Sequence, residues 1–170
     1  MASAAIDVLP AATSDDVDAA RRLFFDYASS LGFDLGFQDF DAELRGLPGE
    51  YAPPGGALLL AREAGTAVGC VALRPLATGT CEMKRLYVAP AGRGRGVGRA
   101  LVREIVALAR ELGYRRMRLD TVPSMTAARA LYRSFGFREI EPYRYNPIPG
   151  TSFMELDLSG TEPGGSERPR

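Results

Sequence analysis

The apolar residues of this chain follow two periods. Val17, Ala20, Phe24, Tyr27 and Leu31 stand three and four apart, which predicts an amphipathic helix lying on a sheet. Thr13 and Ser14 offer its N-cap, Asp15 and Asp16 suit its first turn, and Gly32 stops it. A short strand over residues 6–9, closed by Pro10, precedes this helix. A second helix, from 37 or 38 to 47, follows it on Phe40, Leu44 and Leu47. Residues 57–62 and 67–73 are apolar runs separated by Glu63-Ala64-Gly65-Thr66, a hairpin pattern that Pro75 closes. Gly79 opens a third strand, which runs through 82–88 and ends before Pro90.

Period 3.6 then returns. Val97, Leu101, Ile105, Leu108 and Leu112 mark a helix ending at Gly113, and residues 116–121 form the next strand. Strand, helix and strand in succession require a crossover, so this strand lies parallel to 82–88. A last helix over 126–135 stops at Gly136, and strands 137–140 and 152–158 flank a Pro/Gly-rich excursion at 142–150. Residues 1–158 read as one domain, and 159–170, without an apolar anchor, as a disordered tail.

Composition narrows the function. At 170 residues and 46% hydrophobic, the chain can bury a sizeable core. No apolar run approaches the ~20 residues of a membrane helix, and no basic residue precedes Arg21, so a cytoplasmic location and no membrane partner are expected. Cys70 and Cys81 fall in strands and read as buried free thiols. The chain has no histidine, which removes the commonest general base and metal ligand, so no metal is expected. Net charge is zero, unlike the basic balance of a nucleic-acid binder. The charges are nonetheless uneven: residues 1–50 hold ten Asp/Glu against three Arg, while residues 84–144 hold fourteen Lys/Arg against five Asp/Glu. Solvated helix faces account for this pattern, as does a basic half facing an anionic cofactor and an acidic half near a cationic acceptor.

The stretch 82–99, EMKRLYVAPAGRGRGVGR, joins a strand to a glycine-rich helix entrance. Free backbone N–H groups and the positive end of the helix dipole converge there, which suits a pyrophosphate. The glycines match neither the Rossmann spacing nor a P-loop. In spacing and in its preceding strand the stretch resembles the Arg/Gln-x-x-Gly-x-Gly/Ala motif of the GCN5-related N-acetyltransferases, the GNAT superfamily. Ala128-x-x-Leu131-Tyr132-x-x-x-Gly136-Phe137 resembles the later motif of that family. The order of elements over residues 5–158 is also similar.

The resemblance implies an α/β (α+β) fold with a mixed sheet of about six to seven strands flanked by about four helices. It implies an acetyl-CoA-dependent N-acetyltransferase acting on a primary amine of a small molecule or peptide by direct attack. The backbone at Leu86, Tyr87 and Val88 would pair with pantetheine as an added strand. The loop Arg93, Gly94, Arg95, Gly96, Val97, Gly98 and Arg99 would hold the pyrophosphate. Tyr132 would protonate the departing thiolate. Met125 stands where the family has an asparagine that bonds pantetheine, a departure from the pattern at that contact.

With histidine absent, the base is a carboxylate, a tyrosine or a water chain. Glu82 is the candidate carboxylate, in a position similar to the basic glutamate of some protein-lysine members. Period two puts Glu82, Lys84, Leu86 and Val88 on one face, and a surface Glu82–Lys84 pair is the rival account. Acceptor-lining candidates are Asp34, Phe37, Tyr143 and Tyr145, with the Pro53-Pro54-Gly55-Gly56 loop beside them. A non-catalytic acyl-CoA sensor with the same fold is the alternative function. The last hairpin offers an edge strand to a partner, and a homodimer is common in the family.

Overall fold

The computed structural model describes residues 4–160; most of the expected tail lies outside them. The chain runs β1 (Ile6–Pro10), α1 (Ser14–Ser30), α2 (Phe40–Gly46), β2 (Ala57–Glu63), β3 (Thr66–Ala77), β4 (Thr80–Val88), α3 (Val97–Glu111), β5 (Arg116–Thr121), α4 (Thr126–Ser134), β6 (Arg138–Ile140) and β7 (Ser152–Asp157). The seven strands form one sheet in the order β1-β2-β3-β4-β5-β7-β6, in which β4 and β5 are parallel and every other pair is antiparallel. Alternation sends Val71, Leu73, Cys81 and Met83 to a core shared with α3 and α4, and Cys70 and Ala72 to a second core under α1 and α2. Both cysteines are buried free thiols.

Three local features differ from the pattern-based reading. A single-turn 3-10 segment, Gly36–Gln38, precedes α2, and Asp39 between them has φ 55°, which breaks the one expected helix in two. β3 does not end at Pro75. It continues to Ala77 through an irregularity between Pro75 and Ala77, a place where a residue without an N–H is tolerated. The third feature is a bulge in β4. Cys70 pairs with Tyr87 and Ala72 with Lys84, so Arg85 and Leu86 together stand opposite Val71.

That bulge overturns the expectation that Glu82, Lys84, Leu86 and Val88 share a face. Arg85 has φ 59°, a left-handed conformation that costs a residue with a Cβ about 1–3 kcal/mol. Beyond it the alternation inverts: Leu86 and Val88 pack on the α3 side, Tyr87 on the α1 side. Arg85 itself is buried on the α1 side. Its Nε and Nη2 donate to the two Glu43 carboxylate oxygens at 2.8 and 3.0 Å, and its Nη1 donates to Gln38 Oε1 at 2.9 Å. The guanidinium also lies 5.0 Å from the Phe40 ring centre.

β4 and β5 pair only over Thr80–Glu82 with Arg116–Arg118, after which they separate. The edge of β4 from Met83 to Val88 therefore faces an opening in the sheet. The bidentate pair holds the bulge, and the bulge shapes that opening. Replacing Glu43 with Leu leaves Arg85 buried with one side-chain acceptor and should destabilise the fold by about 3–5 kcal/mol in urea unfolding; a loss below about 1 kcal/mol would mean that the pair does not hold the bulge.

Candidate active site

A groove of about 720 Å³ runs from the glycine loop along the free edge of β4. Gly94 and Gly96 have φ of 80° and 79°, so the loop turns twice through the left-handed region that only glycine adopts without strain. Gly96 is the N-cap of α3, and the helix begins at Val97 with no side chain capping its first N–H groups. Those donors and the helix dipole face the groove, which Arg93, Gly94, Gly96, Val97 and Gly98 line. Arg93 folds back so that its Nε donates to Val88 O at 3.2 Å. Arg95 and Arg99 turn their side chains elsewhere. Arg95 pairs with Glu63, and the Arg99 guanidinium lies 5.6 Å from the Phe135 ring centre.

Leu86, Tyr87, Val88 and Met125 line the same groove. Met125 precedes α4 and gives the groove an apolar thioether wall. Tyr27 of α1 closes the inner end, its ring 6.1 Å from that of Tyr87. Counted in the sequence as part of an apolar stripe, Tyr27 in fact borders the site.

At the point of strand separation a small cavity of about 30 Å³ brings Tyr27, Lys84, Leu86, Asp120, Met125 and Tyr132 together. Tyr132 is buried against Phe137, with ring centres 5.6 Å apart. Burial, with the negative charge of Asp120 adding to it, pushes its phenol well above the ordinary tyrosine range, so it is a neutral donor at any working pH. Asp120 comes from the splayed end of β5. Its Oδ2 accepts from Asn146 Nδ2 at 3.1 Å. Asn146 belongs to the excursion before β7, which Arg129 of α4 ties down by donating to Thr121 O and Gly150 O at 2.9 Å each.

Glu82 is not placed as the expected base. It has no exposed surface, and both carboxylate oxygens are occupied. Oε1 accepts from Arg74 Nε at 2.9 Å with Lys84 Nζ at 3.9 Å; Oε2 accepts from the Tyr143 hydroxyl at 2.7 Å and is ion-paired with Arg144. The excursion folds over Glu82 and seals it, a long-range event that strand periodicity does not encode. Nor is it the rival surface pair with Lys84, since both residues are buried. Glu82 is the hub of a buried charge network.

Above that network lies a second cavity of about 320 Å³, walled by Phe37, Leu76, Lys84, Tyr143, Arg144 and Tyr145. Phe37, Tyr143 and Tyr145, expected near an acceptor, line this one cavity. Asp34 does not join them: its Oδ1 accepts from Gly36 N at 2.7 Å and closes a local turn.

Lys84 borders both cavities. It is the single lysine of the chain, among twenty arginines, a signal present in the sequence. Only 6% of its surface is exposed, and Nζ donates to Gln38 Oε1 at 3.1 Å. Burial, with Arg85 adding like-charge repulsion, brings its ammonium down to about 8 against the pull of Glu82 and Asp120. Arginine could not be lowered in this way. Among the described residues, no group of three or more His, Cys, Asp or Glu is arranged to hold a metal, and no helix is long and apolar enough to cross a membrane.

The unfolded chain keeps Lys84 near ~10.4 and so binds more protons than the folded chain between pH 8 and that value. The cost of burying the ammonium is full below pH 8 and fades as pH rises through this window. Relative to Lys84→Met, the native protein should gain about 2 kcal/mol in urea unfolding between pH 7 and 10; a constant difference would show that the ammonium is not perturbed.

Residues 17–137 match the model of the acetyltransferase (GNAT) family. The chain is 47% identical over 146 residues to an uncharacterised N-acetyltransferase of Schizosaccharomyces pombe, covering 85% of this chain and 90% of the relative. In fold it is similar to a GNAT-family acetyltransferase from Staphylococcus aureus Mu50, with a TM-score of 0.76, 20% identity, and 91% and 99% of the two chains covered. It is also similar to the PaiA N-acetyltransferase of Thermoplasma acidophilum, solved with coenzyme A, with a TM-score of 0.70, 16% identity, and 90% and 99% covered. The chain belongs to the GNAT acetyltransferase family and is an acyltransferase.

Proposed function

We propose that the protein transfers the acetyl group of acetyl-CoA to a primary amine by direct attack, without a covalent enzyme intermediate. The observation that carries this reading is the groove that runs from the Gly94–Gly96 loop along the free edge of β4 and shares Tyr27, Leu86 and Met125 with the small cavity lined by Tyr132 and Asp120. The loop receives the pyrophosphate on backbone N–H groups, and the edge of β4 at Leu86, Tyr87 and Val88 receives pantetheine as an added strand. The coenzyme complex of the Thermoplasma protein supports acetyl-CoA as the donor.

The acceptor arrives as an ammonium and must lose a proton before it attacks. Asp120 replaces Glu82 as the proposed carboxylate, because it borders the small cavity where Glu82 is sealed off. It orients the ammonium and passes the proton to water. The amine nitrogen then forms a bond to the thioester carbon. A backbone N–H of β4 stabilises the oxyanion, and collapse of the intermediate breaks the carbon–sulfur bond. Tyr132, kept protonated by its burial, donates to the leaving sulfur and regains a proton as the adduct nitrogen gives up its second one, so the phenol is restored. Per turnover, an ammonium and acetyl-CoA become an amide, coenzyme A thiol and one proton.

Thiol release from acetyl-CoA in the presence of an amine panel tests this directly. Tyr132→Phe should lower kcat by about 100-fold while leaving the acetyl-CoA Kd, measured by calorimetry, within about three-fold. Asp120→Asn should lower kcat/KM for the amine by about ten-fold or more. Native rates in both variants would remove these roles. Tight acetyl-CoA binding with no thiol release from any amine would favour a non-catalytic acyl-CoA sensor instead.

A further inference from the structure

Three cations meet around the larger cavity, and the carboxylates in contact with them do not balance them. Arg74 donates to Glu82, Arg144 forms an ion pair with it, and Lys84 Nζ lies 3.9 Å from it. Arg74 has a second partner in Glu50, at 2.6 Å. Glu43, the other acid beside this cavity, is committed to Arg85 by two hydrogen bonds. Three cations against Glu82 and Glu50 leave one positive charge, located on the Lys84 and Arg144 side. Arg144 lines the cavity, and its Nε is buried with no hydrogen-bond partner, so this guanidinium is short of acceptors. Asp120 provides the opposite charge in the neighbouring small cavity, and Lys84 borders both spaces.

We infer that the acceptor is an amino acid or a close analogue, an amine bearing one carboxylate, which binds with its carboxylate against Lys84 and Arg144 and its ammonium toward Asp120. This rests on the acyl-transfer reading for the direction in which the amine points. One surplus charge matches a carboxylate monoanion rather than a phosphate dianion. A volume of about 320 Å³ accommodates one amino acid, and Phe37, Leu76 and Tyr145 provide apolar wall for its side chain. The depressed ammonium of Lys84 fits the same account. A buried cation short of counter-charge is strained until an anion arrives, and a bound carboxylate restores its affinity for a proton. Buried charge-assisted hydrogen bonds also discriminate strongly, because a ligand without the carboxylate leaves the cations unpaired.

The test uses the full chain with coenzyme A bound, so that no turnover occurs. Calorimetry compares phenylalanine, leucine and tyrosine with phenethylamine, isopentylamine and tyramine, their counterparts without the carboxylate, and with O-phosphoethanolamine as a dianion. At least one amino acid should bind about ten-fold or more tightly than its decarboxylated partner and than O-phosphoethanolamine. Lys84→Met and Arg144→Gln, each checked for native coenzyme binding, should reduce that preference to about three-fold or less. Because Lys84 is the single lysine, isotope labelling of lysine gives one side-chain signal, and its titration midpoint should rise by about one unit or more when the amino acid binds.

Equal or tighter binding of the decarboxylated amines, binding of none of the panel, or an unmoved lysine midpoint would overturn the inference. Thiol release from acetyl-CoA with the same amines is scored separately. Selective binding without release would leave the carboxylate site standing and remove the transfer reading.

Discussion

A strained residue at the centre of the sheet sets the geometry of everything around it. Arg85 occupies left-handed backbone space within β4, and it remains there because its guanidinium is buried against Glu43, Gln38 and the Phe40 ring. An unpaired guanidinium in that position would cost several kcal/mol, more than the backbone strain it offsets. The extra residue inverts the alternation of the strand, sending Leu86 and Val88 to one core and Tyr87 to the other. β5 leaves β4 after Glu82. Together the bulge and the separation leave a strand edge inside the protein without a strand partner, the feature that a coenzyme with an extended amide arm can fill.

The acceptor side is organised by charge. Glu82 was the natural choice for a base in a chain without histidine. It is instead the anion that allows Arg74, Lys84, Arg144 and the Tyr143 hydroxyl to be buried together. Buried ion networks of this kind add little net stability but fix side-chain positions. The network holds Lys84 between the two cavities, with Asp120 exposed to the smaller of them. The separation of roles is physical: the sealed carboxylate positions other groups, and the accessible one is left free for the role proposed for it.

Local patterns carried most of the fold. Helix stripes, glycine stops and the crossover between β4 and β5 were legible, as was the loop at Gly94 and Gly96, because each depends on residues close in sequence. What escaped the sequence depends on contacts between distant segments. The bulge at Arg85 is stabilised by Glu43, forty-two residues away, and Glu82 is covered by Tyr143, sixty-one residues away. The strand alternation expected for Glu82 through Val88 failed for the first reason, and the role given to Glu82 for the second. Lys84 was different. A single lysine among twenty arginines is visible in composition, and its meaning lies in a property that arginine lacks, an ammonium that burial can bring near neutrality.

The central claim is that the edge of β4 beyond Glu82 is an unfilled strand position that the coenzyme completes. Hydrogen exchange with and without acetyl-CoA measures it most directly. Amides of residues 83–88 should exchange more slowly in the complex, together with those of residues 93–98, while those of β1 and β2 stay unchanged. Protection confined to the loop, with residues 83–88 unaffected, would contradict the account.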